Sequence, residues 1–161
     1  MIIFIECVIL CLVFTIMVWG MMKNPIKTLY NYPPKIQERV KSLEKYKNKI
    51  PTEKNKVVTK SIVAICVVIL FSFILRYING YTTFEDAFKY SFIIWTIVNV
   101  YDAVFMDIIW FCHSKKVMIE GTEDMIKEYH DYLFRIKQSL IGEVIGGMVC
   151  ILIGLVVHFV L

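Results

Sequence analysis

Four apolar runs, at about 1–22, 57–78, 84–112 and 140–161, alternate along this chain with polar stretches at 23–56 and 113–139. About 20 residues at 1.5 Å rise cross the hydrocarbon core of a bilayer, and each run reaches that length. The pattern predicts an all-α integral membrane protein of one domain over 1–161, with four transmembrane helices and two cytoplasmic amphipathic helical segments.

Local punctuation sets the boundaries. Asn24-Pro25 closes the first run, and Tyr32-Pro33-Pro34 launches a helix in which Ile36, Val40, Leu43, Tyr46 and Ile50 recur at helical spacing. That stripe is expected either to lie on the inner membrane surface or to pack on the second polar segment. Asn79-Gly80 predicts a tight turn, and Thr83 with Glu85 and Asp86 begins the third helix. Thr122, Glu123 and Asp124 predict a helix start, and with no later proline one helix is expected from about Glu123 to the C-terminus.

Composition supports the membrane reading: 58% of the residues are hydrophobic and the mean hydropathy is +0.63. Eleven of the 18 Lys and Arg residues lie between Lys23 and Lys60, against three acids, Glu38, Glu44 and Glu53. Flanked by two apolar runs, this basic stretch reads as positive-inside topology with attraction to anionic lipid headgroups at 23–60, rather than as a nucleic-acid surface. Both termini are then outside a cytoplasmic membrane that the chain crosses several times. The first run lacks the basic start and small-residue cleavage site of a secretory signal and reads as a retained span. Five cysteines form no CxxC pair or zinc spacing and read as small buried residues.

Charges within membrane-length runs are costly, which makes them candidates for function. On the third run, at about 100° per residue, Trp95, Asn99, Asp102, Met106 and His113 fall within about 60°, while Asp107 lies about 140° from Asp102. On the fourth, Glu143 shares a face with Gly147, Cys150 and Gly154, beside Gly142 and Gly146. Small residues at this spacing let helices approach closely. Toward the outer side, Glu6, Arg76, Lys89 and His158 are expected to pair among themselves. Asp102, Asp107 and Glu143 have no basic residue at their own depth. They must be protonated, meet a cytoplasmic cation such as Lys115 or Arg135, or bind something positive.

The expected site is a polar intramembrane one near the cytoplasmic leaflet, taking a cation or a lipid headgroup. Asp102, Asp107, His113 and Glu143 are its acid/base candidates if it is catalytic, with Trp95, Asn99 and Trp110 as ligand-binding candidates. A divalent metal would draw on His113, Glu123 and His130 if the loop at Glu120 folds back. Asn99-Val-Tyr-Asp102 followed by Asp107 resembles the sparse outline of the Asp-rich helix of intramembrane prenyltransferases, but the spacing departs and a second motif is missing. Lipoprotein signal peptidases share the size and span number, yet their Asp motifs are absent. Two alternatives stand beside this reading: a transport subunit whose homo-oligomer meets at the glycine seam, and a non-catalytic interaction protein.

Overall fold

The computed structural model describes residues 2–161, with side chains at all but 2 and 53–56. Met1 of the first run and the side chains of Glu53, Lys54 and Lys56 in the basic run lie outside the described residues. Among the described residues the chain is helical and has no strand. Its helices are α1 (Ile2–Met22), α2 (Pro34–Ser42), α3 (Glu53–Phe73), α4 (Phe84–Tyr101), α5 (Ile126–Tyr129) and α6 (Tyr132–Phe159). Four helical stretches are long and apolar enough to cross a membrane: Ile3–Met22, Val57–Ile78, Phe84–Phe111 and Ile126–Phe159.

Two of these stretches change register. The end of α3 continues as a π-helix over Ile74–Ile78, and α4 continues as one over Asp102–Phe111. The amide of Asn79 bonds the carbonyl of Ile74, and that of Cys112 the carbonyl of Asp107, both five residues back. In this register residues five apart return to nearly the same face. The 100° wheel therefore misplaces Asp107: it shares a face with Asp102, five residues before it, and with Cys112, five after.

The chain divides into two compact units, residues 1–52 with 100–139 and residues 53–99 with 140–161. In the first unit, Ile36 and Val40 of α2 are fully buried with Leu29, Tyr32, Tyr46, Val117, Ile119 and Tyr129. The α2 stripe thus faces protein, not lipid, and α2 ends at Ser42, before Leu43, Tyr46 and Ile50. Each aliphatic side chain so buried contributes about 1.5–3 kcal/mol. Polar links join the same segments: Tyr32 Oη donates to the Val117 carbonyl at 2.9 Å, Lys45 pairs with Glu120, and Tyr129 Oη accepts the Ile119 amide.

The expected helix start at Thr122 does not form. Thr122 is buried and donates to the Ile119 carbonyl at 2.6 Å, while both Glu123 oxygens accept the Gly121 amide. Gly121 holds φ +92°, and a Cβ there would fall 2.8 Å from Leu43, so no other residue fits without strain. The helix expected from Glu123 onward is instead broken at His130 and Asp131. Asp131 caps α6 by accepting the Phe134 amide at 2.9 Å.

In the second unit, Thr83 and Asp86 close the start of α4 reciprocally: Thr83 Oγ1 accepts the Asp86 amide and donates to its carboxylate. Gly80 takes φ +76° in the expected turn. Leu75, Ala87, Ile153 and Val157 form the core. Helices α4 and α6 run antiparallel, with Phe84 on Gly154, Phe92 on Gly147, Trp95 on Gly146 and Asn99 on Gly142. A Cβ on Gly146 would lie 1.8 Å from the indole of Trp95, so the ring occupies the space the glycine leaves.

Candidate functional site

The candidate residues fall into two groups, one in each unit. Asn99 and Glu143 belong to one unit, and Asp102, Asp107, His113 and His130 to the other.

Glu143 projects from α6 toward α4, where Gly142 and Gly146 allow close approach. Thr96 Oγ1 donates to its Oε1, and Asn99 Nδ2 donates to its Oε2 at 2.8 Å. Both carboxyl oxygens are therefore engaged by neutral donors. Among the described residues no Lys or Arg forms an ion pair with Glu143. Trp95, one turn before Asn99, has its indole N–H buried without a hydrogen-bond partner. Thr96 escaped the sequence reading because a threonine in an apolar helix carries no signal until its neighbour is known.

In the first unit the organising side chain is Arg135, the fourth residue of α6 and only 3% exposed. Its Nη1 donates to Asp107 Oδ1 at 3.2 Å and to the Asn31 carbonyl at 3.1 Å. Its guanidinium carbon sits 3.8 Å from the Phe111 ring centre, a stacked cation–π contact. Its Nε and Nη2 are buried with no hydrogen-bond partner among the described residues. The π register aligns Asp102 and Cys112 with Asp107, the carboxylate that Arg135 meets. Asp107 thus meets Arg135, one of the two cations named from sequence. Arg135 was legible there only as a partner, and the five-residue spacing of Asp102, Asp107 and Cys112 is the signal that an α-helical wheel hides.

Tyr32 closes the same region, its ring edge-on to Phe111 and Tyr129. Burial, together with the Tyr129 phenol, pushes its own phenol above the ordinary 10. Trp110 packs on Trp19, with ring centres 5.5 Å apart, so it is an aromatic contact within this unit.

His113 and His130 come together as the loop folds back, with ring centres 5.4 Å apart and Tyr132 beside both. His113 Nδ1 lies 3.1 Å from the Ile108 and Ile109 carbonyls. A carbonyl can only accept, so Nδ1 carries the proton and Nε2 is the free nitrogen. Glu123 does not join the histidines: it is taken up by the Gly121 amide, which holds its carboxyl below the usual 4.5. Among the described residues no group of three or more His, Cys, Asp or Glu side chains could hold a metal. Arg76 bonds the Leu161 carbonyl, Lys89 pairs with Glu85, and His158 meets the Thr82 carbonyl.

No family model matches this chain, and no curated protein or solved structure matches it either.

Proposed function

We propose that this is a multi-pass membrane protein whose α4–α6 pair carries an intramembrane cation-binding site at Glu143. Residues 23–56 and 113–139 face the cytoplasm and both termini lie outside. Support for the membrane comes from α1 and α3, where Phe4, Ile9, Leu12, Ile16, Ile62, Ile65 and Leu70 are exposed. Water would not tolerate such surfaces, whereas hydrocarbon matches them. The orientation rests on the basic stretch at 23–60.

The observation that carries the site is the Glu143 carboxyl, held by Thr96 and Asn99 with, among the described residues, no Lys or Arg in an ion pair with it. An ionised carboxylate in such surroundings is costly unless a positive charge joins it. A proton satisfies it by reversing the Thr96 bond, so that Glu143 donates to Thr96 Oγ1. A small monovalent cation satisfies it through the carboxylate and Thr96 oxygens. The occupied glycine seam weighs against the transport-subunit alternative, because Gly142, Gly146, Gly147 and Gly154 already face α4 of the same chain.

Glu143→Gln keeps the shape and the hydrogen bonds while removing the charge. In lipid nanodiscs, the infrared carbonyl band of a protonated carboxyl should diminish in the wild type as sodium or pH is raised. It should be absent from the variant at all conditions. A band that persists unchanged across sodium and pH, or that survives in the variant, would sink the proposal.

A further inference from the structure

The Arg135 side chain is nearly fully buried, yet among the described residues its Nε and Nη2 meet no hydrogen-bond partner. The idle Nε–H and Nη2–H point the same way within the guanidinium plane and form its side-on fork. That fork matches two oxygens of one oxyanion. Leaving such donors unmet in a buried place costs about 1–3 kcal/mol each, so native proteins rarely do so. Five residues before Asp107 in the π register, Asp102 shares the face of that carboxylate. Among the described residues its carboxyl has no hydrogen bond or ion pair, the only ion pair in this group being Arg135 with Asp107.

The charge balance defines what can complete the group. Asp107 already neutralises Arg135, so a simple anion on the fork would add charge next to two aspartates. A simple cation on Asp102 would leave the fork unmet. A molecule that brings both an oxyanion and an ammonium satisfies both at once. We propose that Arg135 and Asp102 form a receptor for a zwitterionic phosphate–ammonium group of the phosphoethanolamine class. The phosphate takes the Arg135 fork, and the ammonium takes the Asp102 carboxylate. The π register is what makes this arrangement available, since it turns Asp102 to the face of Asp107, the carboxylate that anchors Arg135. The site is independent of Glu143 and shares with that reading only the membrane placement, which the lipid arm of the test requires.

The group could arrive as a lipid headgroup or as the free water-soluble compound. Purified protein should be exchanged into nanodiscs containing equal phosphatidylethanolamine and phosphatidylglycerol, then examined by native mass spectrometry. A parallel sample in detergent should receive O-phosphoethanolamine or inorganic phosphate, read by thermal shift. The wild type should retain the ethanolamine lipid over the glycerol lipid by about tenfold, the scale of one charge-assisted contact. If the source is the free compound, O-phosphoethanolamine should stabilise the protein and inorganic phosphate should not.

Asp102→Asn removes a charge that holds no partner among the described residues, so the fold should survive, and it should abolish the preference while binding of the glycerol lipid persists. Arg135→Lys keeps the Asp107 pair but loses the fork, and should lose retention of both lipids and any response to O-phosphoethanolamine. Equal retention of the two lipids together with no response to O-phosphoethanolamine would overturn the proposal. So would an unchanged preference in Asp102→Asn. An unchanged Glu143→Gln infrared response would leave this outcome untouched, so the two readings fail separately.

Discussion

Asp107 and Glu143 are both carboxylates on membrane-length helices, yet the two units answer them in different ways. Asp107 meets a buried guanidinium that is itself held by a backbone carbonyl and an aromatic face. Glu143 meets a hydroxyl and an amide. The contrast teaches how differently a charge can be accommodated. An ion pair fixes the ionised state and makes each partner depend on the other. Neutral donors hold a carboxyl in place without fixing its charge, and so leave it able to exchange a proton or a cation.

The sharpest way to break the comparison is to remove one carboxylate from each unit. Asp107→Ala leaves Arg135 buried without its counter-ion and should cost about 3–5 kcal/mol. Glu143→Ala strands only neutral donors and should cost about 1–3 kcal/mol. Thermal unfolding in detergent checks both, and equal losses would mean that the two environments do not differ as described.

Glycine substitutions come next. Gly146→Ala drives a methyl group into the Trp95 indole and should destabilise by about 1–3 kcal/mol. Gly147→Ala meets Phe92 only at 3.6 Å, an ordinary contact, and should be near neutral. A reversed order would place Trp95 elsewhere than against α6.

Tyr32 tests the packed polar unit with a smaller effect. Tyr32→Phe strands the Val117 carbonyl and should cost about 1 kcal/mol. Because the folded phenol titrates above its ordinary 10, its stabilisation is complete below that pH and falls as pH rises. The wild type should therefore lose melting temperature on the alkaline side of 10 more steeply than the variant. The smallest expected effect belongs to exposed Glu123. Its carboxyl titrates below the ordinary 4.5, so its stabilisation is present above that value and is lost as pH falls through the lower, folded one. Glu123→Gln should flatten the acid limb of the same melting curve slightly.

Much of this architecture was readable from local signals, because those signals are short-range. Thr83 with Asp86 caps α4 through bonds three residues apart, and Asn79-Gly80 turns because glycine alone tolerates the required φ. The stripe Ile36, Val40, Tyr46 announced a buried face. What buries it, the segment around Val117, Ile119 and Tyr129, could not be chosen from periodicity over a membrane surface. Thr122 misled because a hydroxyl that caps a helix looks identical in sequence to one that bonds a buried tyrosine. The site candidates divide the same way. Glu143 and Asn99 were suspected from charge and polarity in apolar runs, and they meet. Arg135 entered only as a distant cation, since nothing local marks a guanidinium as buried.

By itself the sequence determined the four apolar helices, the basic stretch between the first two and the polar positions within the third and fourth. Composition and period decide these, and neither depends on distant partners. Only the tertiary structure decided that α4 passes into a π register at Asp102. A hydrogen bond shifted by one residue leaves no mark in composition, yet it re-aims every side chain that follows. That shift places Asp102, Asp107 and Cys112 on one face, and long-range packing brings Arg135 to meet it. Which donors surround Glu143 was likewise settled by the close approach that Gly142 and Gly146 permit between α4 and α6.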